Sequence, residues 1–238
     1  MGDVRPWTPD AEPSRVASGA VTLVEGSSFC ISTGSGDLQA TGSYGVFFRD
    51  TRILSRWDLQ VDGEAPESLA AMTPEPYRGI FVGRLSKRAG SSSLLVQRER
   101  WVGNGVREDI HIMNTGGEPT ACTLTLAIAA DFADLFEVKE ERPQPGGDRH
   151  VDADGERLLL GQRLRGSRRG TVVEAPGGTV VVTATEGFTA GSISYSVVVA
   201  ARGEWSTSLL ARPVVDDEDI APSFPLDRPT EESLPVLR

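Results

Sequence analysis

The chain is a succession of short β-branched runs separated by turn residues, and this pattern most limits the folds open to it. About a dozen such runs recur between glycine and proline residues, and no apolar stripe of helical period exceeds about ten residues. The length of 238 residues suits one large all-β domain or two small domains. Together these features predict an all-β fold, a large antiparallel β-sandwich (supersandwich-like) with few or no helices.

Turn signals and side-chain alternation place the individual strands. Gly103-Asn104-Gly105 separates Leu94–Val102 from Val106–Met113 and predicts a hairpin. On the return strand of that hairpin, alternation puts four residues on one face: Val106, Glu108, Ile110 and Ile112. The same signals predict further strands at Val21–Glu25, Ser28–Ser32, Cys122–Ala130, Arg157–Leu164, Thr171–Glu174, Thr179–Thr185, Ser192–Ala201 and Trp205–Arg212.

Composition divides the chain into three parts. Residues 1–18 carry several prolines and charges without periodicity, which predicts a flexible lead-in. Residues 19–213 form the predicted β-sandwich domain, with a polar loop at Lys139–Gly155. Residues 214–238 are acidic and proline-rich, which is typical of a linker or tail. A chain that ends after such a segment suggests a domain whose C-terminal neighbour is missing.

The net charge of −10 argues against binding to nucleic acid or to an anionic membrane, because both require clustered Lys and Arg. The N-terminus lacks the apolar segment of a secretory signal, and the longest apolar runs are too short to cross a bilayer. We therefore expect a cytoplasmic protein. Its two cysteines, Cys30 and Cys122, lie in apolar strand-like surroundings and are expected to be buried thiols.

Gly45–Val61 is strongly strand-forming, yet Arg49, Asp50, Thr51 and Arg52 interrupt it with four consecutive polar side chains. The structural interpretation is that Asp50 accepts forked hydrogen bonds from Arg49 or Arg52 at a corner between strands. The functional alternatives are a site for sugar hydroxyl groups and a contact surface for a neighbouring domain. The structural interpretation is the favoured one.

Ala130–Val138 carries three carboxylates at a spacing of three: Asp131, Asp134 and Glu137. In a helical turn they would stand on one side, with Phe132 and Phe136 on another. An ionic latch with arginines from the 49–56 region is the first interpretation, and a domain contact or a ligand site are the alternatives. Calcium binding and acid/base catalysis are disfavoured, because the segment lacks a calcium-loop pattern and glycosidase carboxylates must face each other across the sugar.

The tryptophans and histidines of the chain give little support for a ligand or metal site. Trp57, Trp101 and Trp205 lie in strand-like runs, where burial in the core is more common than a sugar-stacking face. His111 and His150 have no partner at metal-ligand spacing. No phosphate-binding or dinucleotide-binding motif is present, so the sequence predicts neither a metal nor a cofactor.

Together, Gly45–Val61 and Ala130–Val138 resemble the signature of the N-terminal domain of bacterial glycogen debranching enzymes of the amylo-α-1,6-glucosidase type. The resemblance covers Val21–Val138 well and the remainder loosely. It implies a β-sandwich that precedes a catalytic barrel of paired helices, and that barrel supplies the catalytic carboxylates. No catalytic residue is therefore carried over, and the charged residues of both segments are candidates for ligand or domain contacts.

Three hypotheses follow. The first is a non-catalytic domain that packs on a helical glycosidase domain and helps to shape its glucan site. The second is a free-standing carbohydrate-binding module for α-glucans. The third is a small enzyme that uses Asp131, Asp134 or Glu137.

Overall fold

The computed structural model describes residues 19–39, 42–86, 93–140, 147–164, 166–185, 188–216 and 218–233. The predicted lead-in, residues 1–18, lies outside this part of the chain. The described strands are β1 Val21–Glu25, β2 Ser28–Ser32, β3 Gly45–Phe48, β4 Thr51–Leu54, β5 Arg56–Val61, β6 Glu67–Glu75, β7 Arg78–Ser86, β8 Ser93–Val102, β9 Val106–Asn114, β10 Thr120–Ala130, β11 Asp148–Asp154, β12 Arg157–Leu164, β13 Ser167–Glu174, β14 Thr179–Thr185, β15 Phe188–Val199, β16 Glu204–Val215 and β17 Glu218–Asp219. The described helices are α1 Leu135–Lys139 and the 3-10 helix Thr230–Ser233.

The all-β prediction is confirmed, since strands make up about 66% of the structure and helices about 5%. Strands β1, β2, β12 and β14 have the predicted bounds, and the β8–β9 hairpin turns at Gly103–Gly105. The prediction of a polar loop at Lys139–Gly155 is wrong in part, because Asp148–Asp154 form β11. This strand lies at a sheet edge with mostly exposed side chains, so its sequence lacks the apolar alternation of a core strand.

The strands form two layers. One layer is a nine-stranded antiparallel sheet with the order β11-β12-β13-β16-β9-β8-β7-β6, and β17 pairs with β16. The other layer consists of two four-stranded sheets, β1-β2-β3-β4 and β14-β15-β10-β5. The first of these packs on β6, β7 and β8, and the second packs on β9, β11, β12 and β16. The core therefore lies between the large sheet and the two small ones.

Alternation along the strands fills this core. On β10, Cys122, Leu124, Leu126 and Ile128 point inward, and Ile110 on β9 is fully buried in the same cluster. Burial of each large aliphatic side chain stabilises the fold by about 1.5–3 kcal/mol. The expectation of buried thiols is confirmed, because both cysteines are buried and no disulfide joins them.

A carboxylate is buried in the same core between two arginines. Glu108 on β9 accepts a hydrogen bond from Arg98 Nε at 2.8 Å and one from Arg100 Nε at 2.6 Å, both from β8. Trp57 Nε1, from β5 in the opposite layer, donates to the same carboxylate at 3.1 Å. Because all four residues are buried, the cluster joins the two layers by charge-assisted hydrogen bonds inside the apolar core.

A second carboxylate extends this cluster. Asp37, in the loop between β2 and β3, accepts from Arg98 Nη1 at 2.5 Å and from the backbone N–H of Leu59 at 3.1 Å. Burial alone would raise the pKa of Asp37, but the Arg98 charge and the hydrogen bonds lower it overall. Burial likewise acts to raise the pKa of Glu108, but Arg100 and Arg98 outweigh it and the pKa is lowered. Both carboxylates are therefore stabilised as anions in the folded state.

Part of the predicted linker is packed on the domain. Phe224 is buried, with its ring centroid 5.8 Å from that of Tyr77. Arg107 Nη1 on β9 donates to the carbonyl oxygens of Pro225 at 2.7 Å and Arg228 at 3.0 Å. Proline-rich composition is typical of a linker, but it also suits an extended segment that packs along the surface of a sheet, as this one does. Neither helix in the described ranges is long and apolar enough to cross a membrane.

We predict that Glu108→Gln lowers the free energy of unfolding by about 3–5 kcal/mol, because it leaves Arg100 buried without its anion and leaves Arg98 with Asp37 alone. Urea denaturation measured by circular dichroism checks this value. Glu118→Gln is the matched control, because Glu118 is exposed and its substitution removes no buried charge. An equal effect of the two substitutions would contradict the structural role of Glu108.

We also predict that the wild-type domain loses stability on acidification. The folded-state pKa values of Asp37 and Glu108 are lowered, so their contribution is complete above the ordinary carboxylate pKa, near pH 4. The contribution is lost as the pH falls through the lowered values. Urea titrations between pH 7 and pH 3 should show a smaller acid-dependent loss in Glu108→Gln than in the wild type, and equal slopes would refute the assignment.

Candidate functional site

The four polar residues of the first motif form a tight hairpin turn and the strand that follows it. Strands β3 and β4 pair antiparallel, and Arg49-Asp50 connects them. Arg49 has the left-handed φ of 50°, and its backbone N–H donates to the Ser27 carbonyl at 2.7 Å. The side chains of Arg49 and Asp50 are exposed, whereas Arg52 on β4 is buried. The polar interruption is therefore a solvent-facing turn followed by one inward-pointing arginine.

Arg52 pairs with an aspartate of the second motif. Its Nε donates to Asp131 Oδ1 at 3.0 Å, and its Nη2 donates to Asp131 Oδ2. Its Nη1 donates to the carbonyl oxygens of Gly42 and Tyr44, both at 3.2 Å. Of the two partners expected for Asp50, Arg49 or Arg52, the second is wrong, because alternation along β4 turns Arg52 inward to Asp131 while Asp50 remains in the exposed turn. We call the Arg52–Asp131 pair the latch.

Backbone hydrogen bonds reinforce the latch. The N–H of Arg52 donates to the Ala133 carbonyl at 2.8 Å, and the N–H of Leu135 donates to the Asp50 carbonyl at 3.0 Å. The segment after β10 thus runs along β4. Gly45 is required beside it, because a Cβ at that position would lie 2.5 Å from Arg52 Cδ. The hairpin and the segment that leads into α1 therefore form one rigid unit.

The other two carboxylates cap the short helix. Asp134 is the N-cap of α1 and accepts from the Glu137 backbone N–H at 2.8 Å, while Glu137 Oε2 accepts from the Asp134 N–H at 2.9 Å. This reciprocal arrangement is a capping box. The helix begins only at Leu135, so Asp131 lies outside it and the three carboxylates do not form one acidic face. Phe132 is buried, whereas Phe136 on α1 is 64% exposed.

A cavity adjoins the exposed turn. Its volume is about 210 Å³, and it lies between the β3–β4 hairpin and the ends of β13 and β16. Arg169 from β13 lines it and donates through Nη1 to the Phe132 carbonyl at 3.4 Å. Arg49 and Asp50 line it as well, and Leu135, the residue before Phe136, donates its backbone N–H to the Asp50 carbonyl. We call Arg49, Asp50, Phe136 and Arg169 the turn surface.

The turn surface is suited to recognition more than to acid/base catalysis. It offers two cations, one carboxylate and one exposed aromatic ring. The three acids of the second motif already accept hydrogen bonds from Arg52 or from backbone N–H groups of the cap. Within the described ranges, no three His, Cys, Asp or Glu side chains are grouped for metal binding.

Sequence reasoning did not identify Arg169, because it reaches this region from β13 and no sequence spacing links it to the motifs. It also did not identify the Glu108 cluster. A signal for that cluster was present, since Glu108 shares a strand face with Val106, Ile110 and Ile112. The expectation of core tryptophans holds for Trp57 and Trp101, which are buried, while Trp205 is partly buried.

Comparison with protein families gives a match over residues 23–210 to a family described as the N-terminal domain of some glycogen debranching enzymes. Comparison with curated protein sequences gives no significant match. The family match extends well beyond Val138, the end of the region in which the resemblance is clear from sequence alone.

Solved structures share the fold at low sequence identity. A protein assigned as a kojibiose phosphorylase from the human microbiome aligns with a TM-score of 0.59 and 9% identity, covering 96% of this chain. This chain spans 33% of the length of that protein. Slr1438 from Synechocystis aligns with a TM-score of 0.55 and 10% identity over 90% of this chain and 100% of its own. A galactose mutarotase-like protein from Lactobacillus casei aligns with a TM-score of 0.54 and 7% identity, over 82% of this chain and 100% of its own.

We predict that Asp131→Asn destabilises the domain by about 3–5 kcal/mol, because it leaves the Arg52 guanidinium buried without its counterion. Thermal unfolding and urea denaturation provide the measurement. Asp50→Asn is the control, because Asp50 is exposed in the adjoining turn, and it should change stability by no more than about 0.5 kcal/mol. If Asp131→Asn is as mild as the control, the latch does not hold the hairpin.

Proposed function

Because the chain belongs to the family of N-terminal domains of some glycogen debranching enzymes, we propose that it serves as a non-catalytic domain of a glycoside hydrolase of the glycogen-debranching or related α-glucosidase type. The family match over residues 23–210 is the observation that carries this proposal. In this role the domain packs on a helical glycosidase domain, in the same chain or in a partner, and helps to shape the glucan site.

The state of the acidic residues supports a non-catalytic role. Glycoside hydrolysis requires two carboxyl groups that flank the scissile bond, at a separation of roughly 5–10 Å. Asp131 is buried in the latch, and Asp134 and Glu137 bond each other's backbone in the capping box. Release of any of them for acid/base chemistry would break a structural contact.

The turn surface is the proposed contact for the helical domain. Exposed aromatic side chains with charged neighbours are common at the centres of protein interfaces. Phe136 projects from a helix that the latch and the capping box hold in place. Binding through this side chain therefore loses little conformational entropy of the backbone. The partner would therefore meet a preorganised surface.

The carbohydrate-binding alternative has weaker support. Sugar-binding faces use exposed aromatic rings as stacking platforms. Trp57 and Trp101 are buried, and Trp205 packs against the core with its ring centroid 5.4 Å from that of Tyr195. We therefore propose that the glucan contacts this domain only as part of a cleft completed by the helical domain.

The test is calorimetric titration of this chain with the helical glycosidase domain encoded in the same genome. We expect Phe136→Ser to weaken binding by roughly 30-fold, the effect of losing an interface hot spot. Val198→Ser is the matched control, because Val198 is 69% exposed on the outer face of the β14-β15-β10-β5 sheet, and it should leave the affinity unchanged.

Equal loss of affinity in both variants, or no association of the wild-type domains, would overturn the proposed contact. Heat from maltooligosaccharides added to this chain alone would favour the carbohydrate-binding module instead.

A further inference from the structure

Strand β14 is an open edge of the sheet β14-β15-β10-β5. It pairs with β15 along its whole length, Thr179–Thr185, and no strand of the described ranges pairs with its other side. At the opposite edge of the same sheet β5 is covered, because the loop before β3 bridges to it at Leu38 and Trp57. An open edge presents a row of backbone N–H and C=O groups that can pair with a strand of another chain.

The other sheet edges in the described part of the chain are protected against such pairing. In the nine-stranded sheet, the edge strand β6 contains Pro74 and two shifts of register, and the edge strand β11 carries three exposed aspartates. Proline, register shifts and charges prevent edge strands from pairing with other chains. The edges of the third sheet, β1 and β4, hydrogen-bond instead to other segments of this chain, through the backbone N–H groups of Val24 and Arg52.

Strand β14 carries none of these protections. Its sequence, Thr-Val-Val-Val-Thr-Ala-Thr, contains no charged residue, proline or glycine, and its register with β15 is continuous. Two of its valines are exposed, Val181 by 51% and Val182 by 36%. Uncharged β-branched segments without proline are the ones that most readily pair with further strands. The sequence of β14 is therefore suited to extend its sheet into another chain.

The two exposed valines lie on opposite faces of the sheet. Val182 pairs with Gly191, and a Cβ at Gly191 would lie 2.7 Å from Cδ1 of the buried Leu158. Val182 therefore faces the core side, at an end of the sandwich where this side chain is still partly exposed. Val181 pairs with Ser192 on the outer face. A strand added to β14 would cover apolar surface on both faces.

Pairing of β14 with a copy of itself brings no charges together. An antiparallel pair centred on Val182 overlaps the whole of Thr179–Thr185. It sets the two Val182 side chains opposite each other on the core side, and it sets Val181 opposite Thr183 on the outer face. Pairs of β-branched side chains stabilise a sheet, whereas like charges directly opposite each other destabilise it. The strand is therefore compatible with itself across a two-fold axis.

The charges of the neighbouring edge strand do not oppose this pairing. On β11 the residues Asp148, Asp152 and Asp154 share one face, and Val151 between them packs against the core. The aspartates therefore point to the outer side of the large sheet, whereas β14 packs on β11 from the other layer. The net charge of −10 makes two copies repel each other at long range, but salt at about 0.15 M screens this repulsion beyond roughly 8 Å.

We propose that β14 pairs antiparallel with β14 of a second copy of this chain, across a two-fold axis at Val182, so that two four-stranded sheets form one continuous sheet. A charged partner strand would find no ion pair on β14, whereas an identical strand matches it valine to valine, and two-fold dimers are the commonest protein oligomers. The contact involves seven residues of each copy, so its area is at the low end for specific interfaces. The dimer therefore forms at roughly micromolar or higher concentration.

The test is analytical ultracentrifugation of the whole 238-residue chain between about 1 and 500 µM, in salt at about 0.15 M. We expect the mean mass of the wild type to rise with concentration from 25.5 kDa towards twice that value. Val182→Lys should weaken the association roughly tenfold or more, because two lysines would then face each other at the two-fold axis. Val182 is partly exposed, so the ammonium group of the lysine reaches water in the monomer.

Val198→Lys is the matched control. Val198 is 69% exposed and lies on β15, inside the same sheet, so the same change of charge leaves the edge strand intact and should not alter the association. A mixture of Val182→Lys and Val182→Glu chains is the second test. Each of these variants alone should be monomeric, and the mixture should form mixed dimers, because opposite charges then meet at the axis. Thermal unfolding verifies that all three variants are folded.

A wild-type chain that remains monomeric at about 500 µM would overturn the proposal. Equal loss of association in Val182→Lys and Val198→Lys, or a mixture of the lysine and glutamate variants that does not associate, would overturn it as well. If Val182→Lys weakens binding of the helical glycosidase domain and leaves self-association unchanged, β14 belongs to that partner and the proposal is wrong. Because the ultracentrifugation uses no helical domain, its outcome is independent of the turn-surface contact.

Discussion

A carboxylate buried between two arginines determines how the layers of this domain meet. Glu108 and its partners Arg98 and Arg100 belong to the nine-stranded sheet, while Trp57 reaches the same carboxylate from the opposite layer. Arg98 also binds Asp37 in the loop that leads into β3. Buried charges are stable only when each one has a partner, so the cluster favours the one relative placement of the strands in which all of these charges are paired. Apolar packing alone would favour that placement less strongly over other placements.

The latch applies the same principle at the edge of the sandwich. Arg52 and Asp131 join β4 to the segment after β10, and the capping box then holds the short helix that follows. As a result, the β3–β4 hairpin and the turn surface beside it rest on a rigid support.

Sequence reasoning predicts the buried strands accurately and the exposed edge strand poorly. Strands such as β1, β2, β12 and β14 were predicted with their bounds, because turn residues delimit them and β-branched or apolar side chains mark them. The sequence of the edge strand β11 predicts a loop instead, because its mostly exposed side chains carry no apolar alternation. Arg52 and Asp131 are both candidates from the sequence. The sequence predicts only that some arginine of the 49–56 region pairs with an acid of the second motif, not which one. They are separated by 79 positions, and local spacing carries no information about such a contact.

The sequence by itself determined the all-β class, the buried state of both thiols and the resemblance to the debranching-enzyme domain. These properties follow from local signals: alternation, turn chemistry and two short motifs. Only the tertiary structure decided which arginine neutralises which acid, and that the three acids of the second motif have separate roles. Those outcomes depend on sheet register and layer packing, which bring together residues that are far apart in the chain.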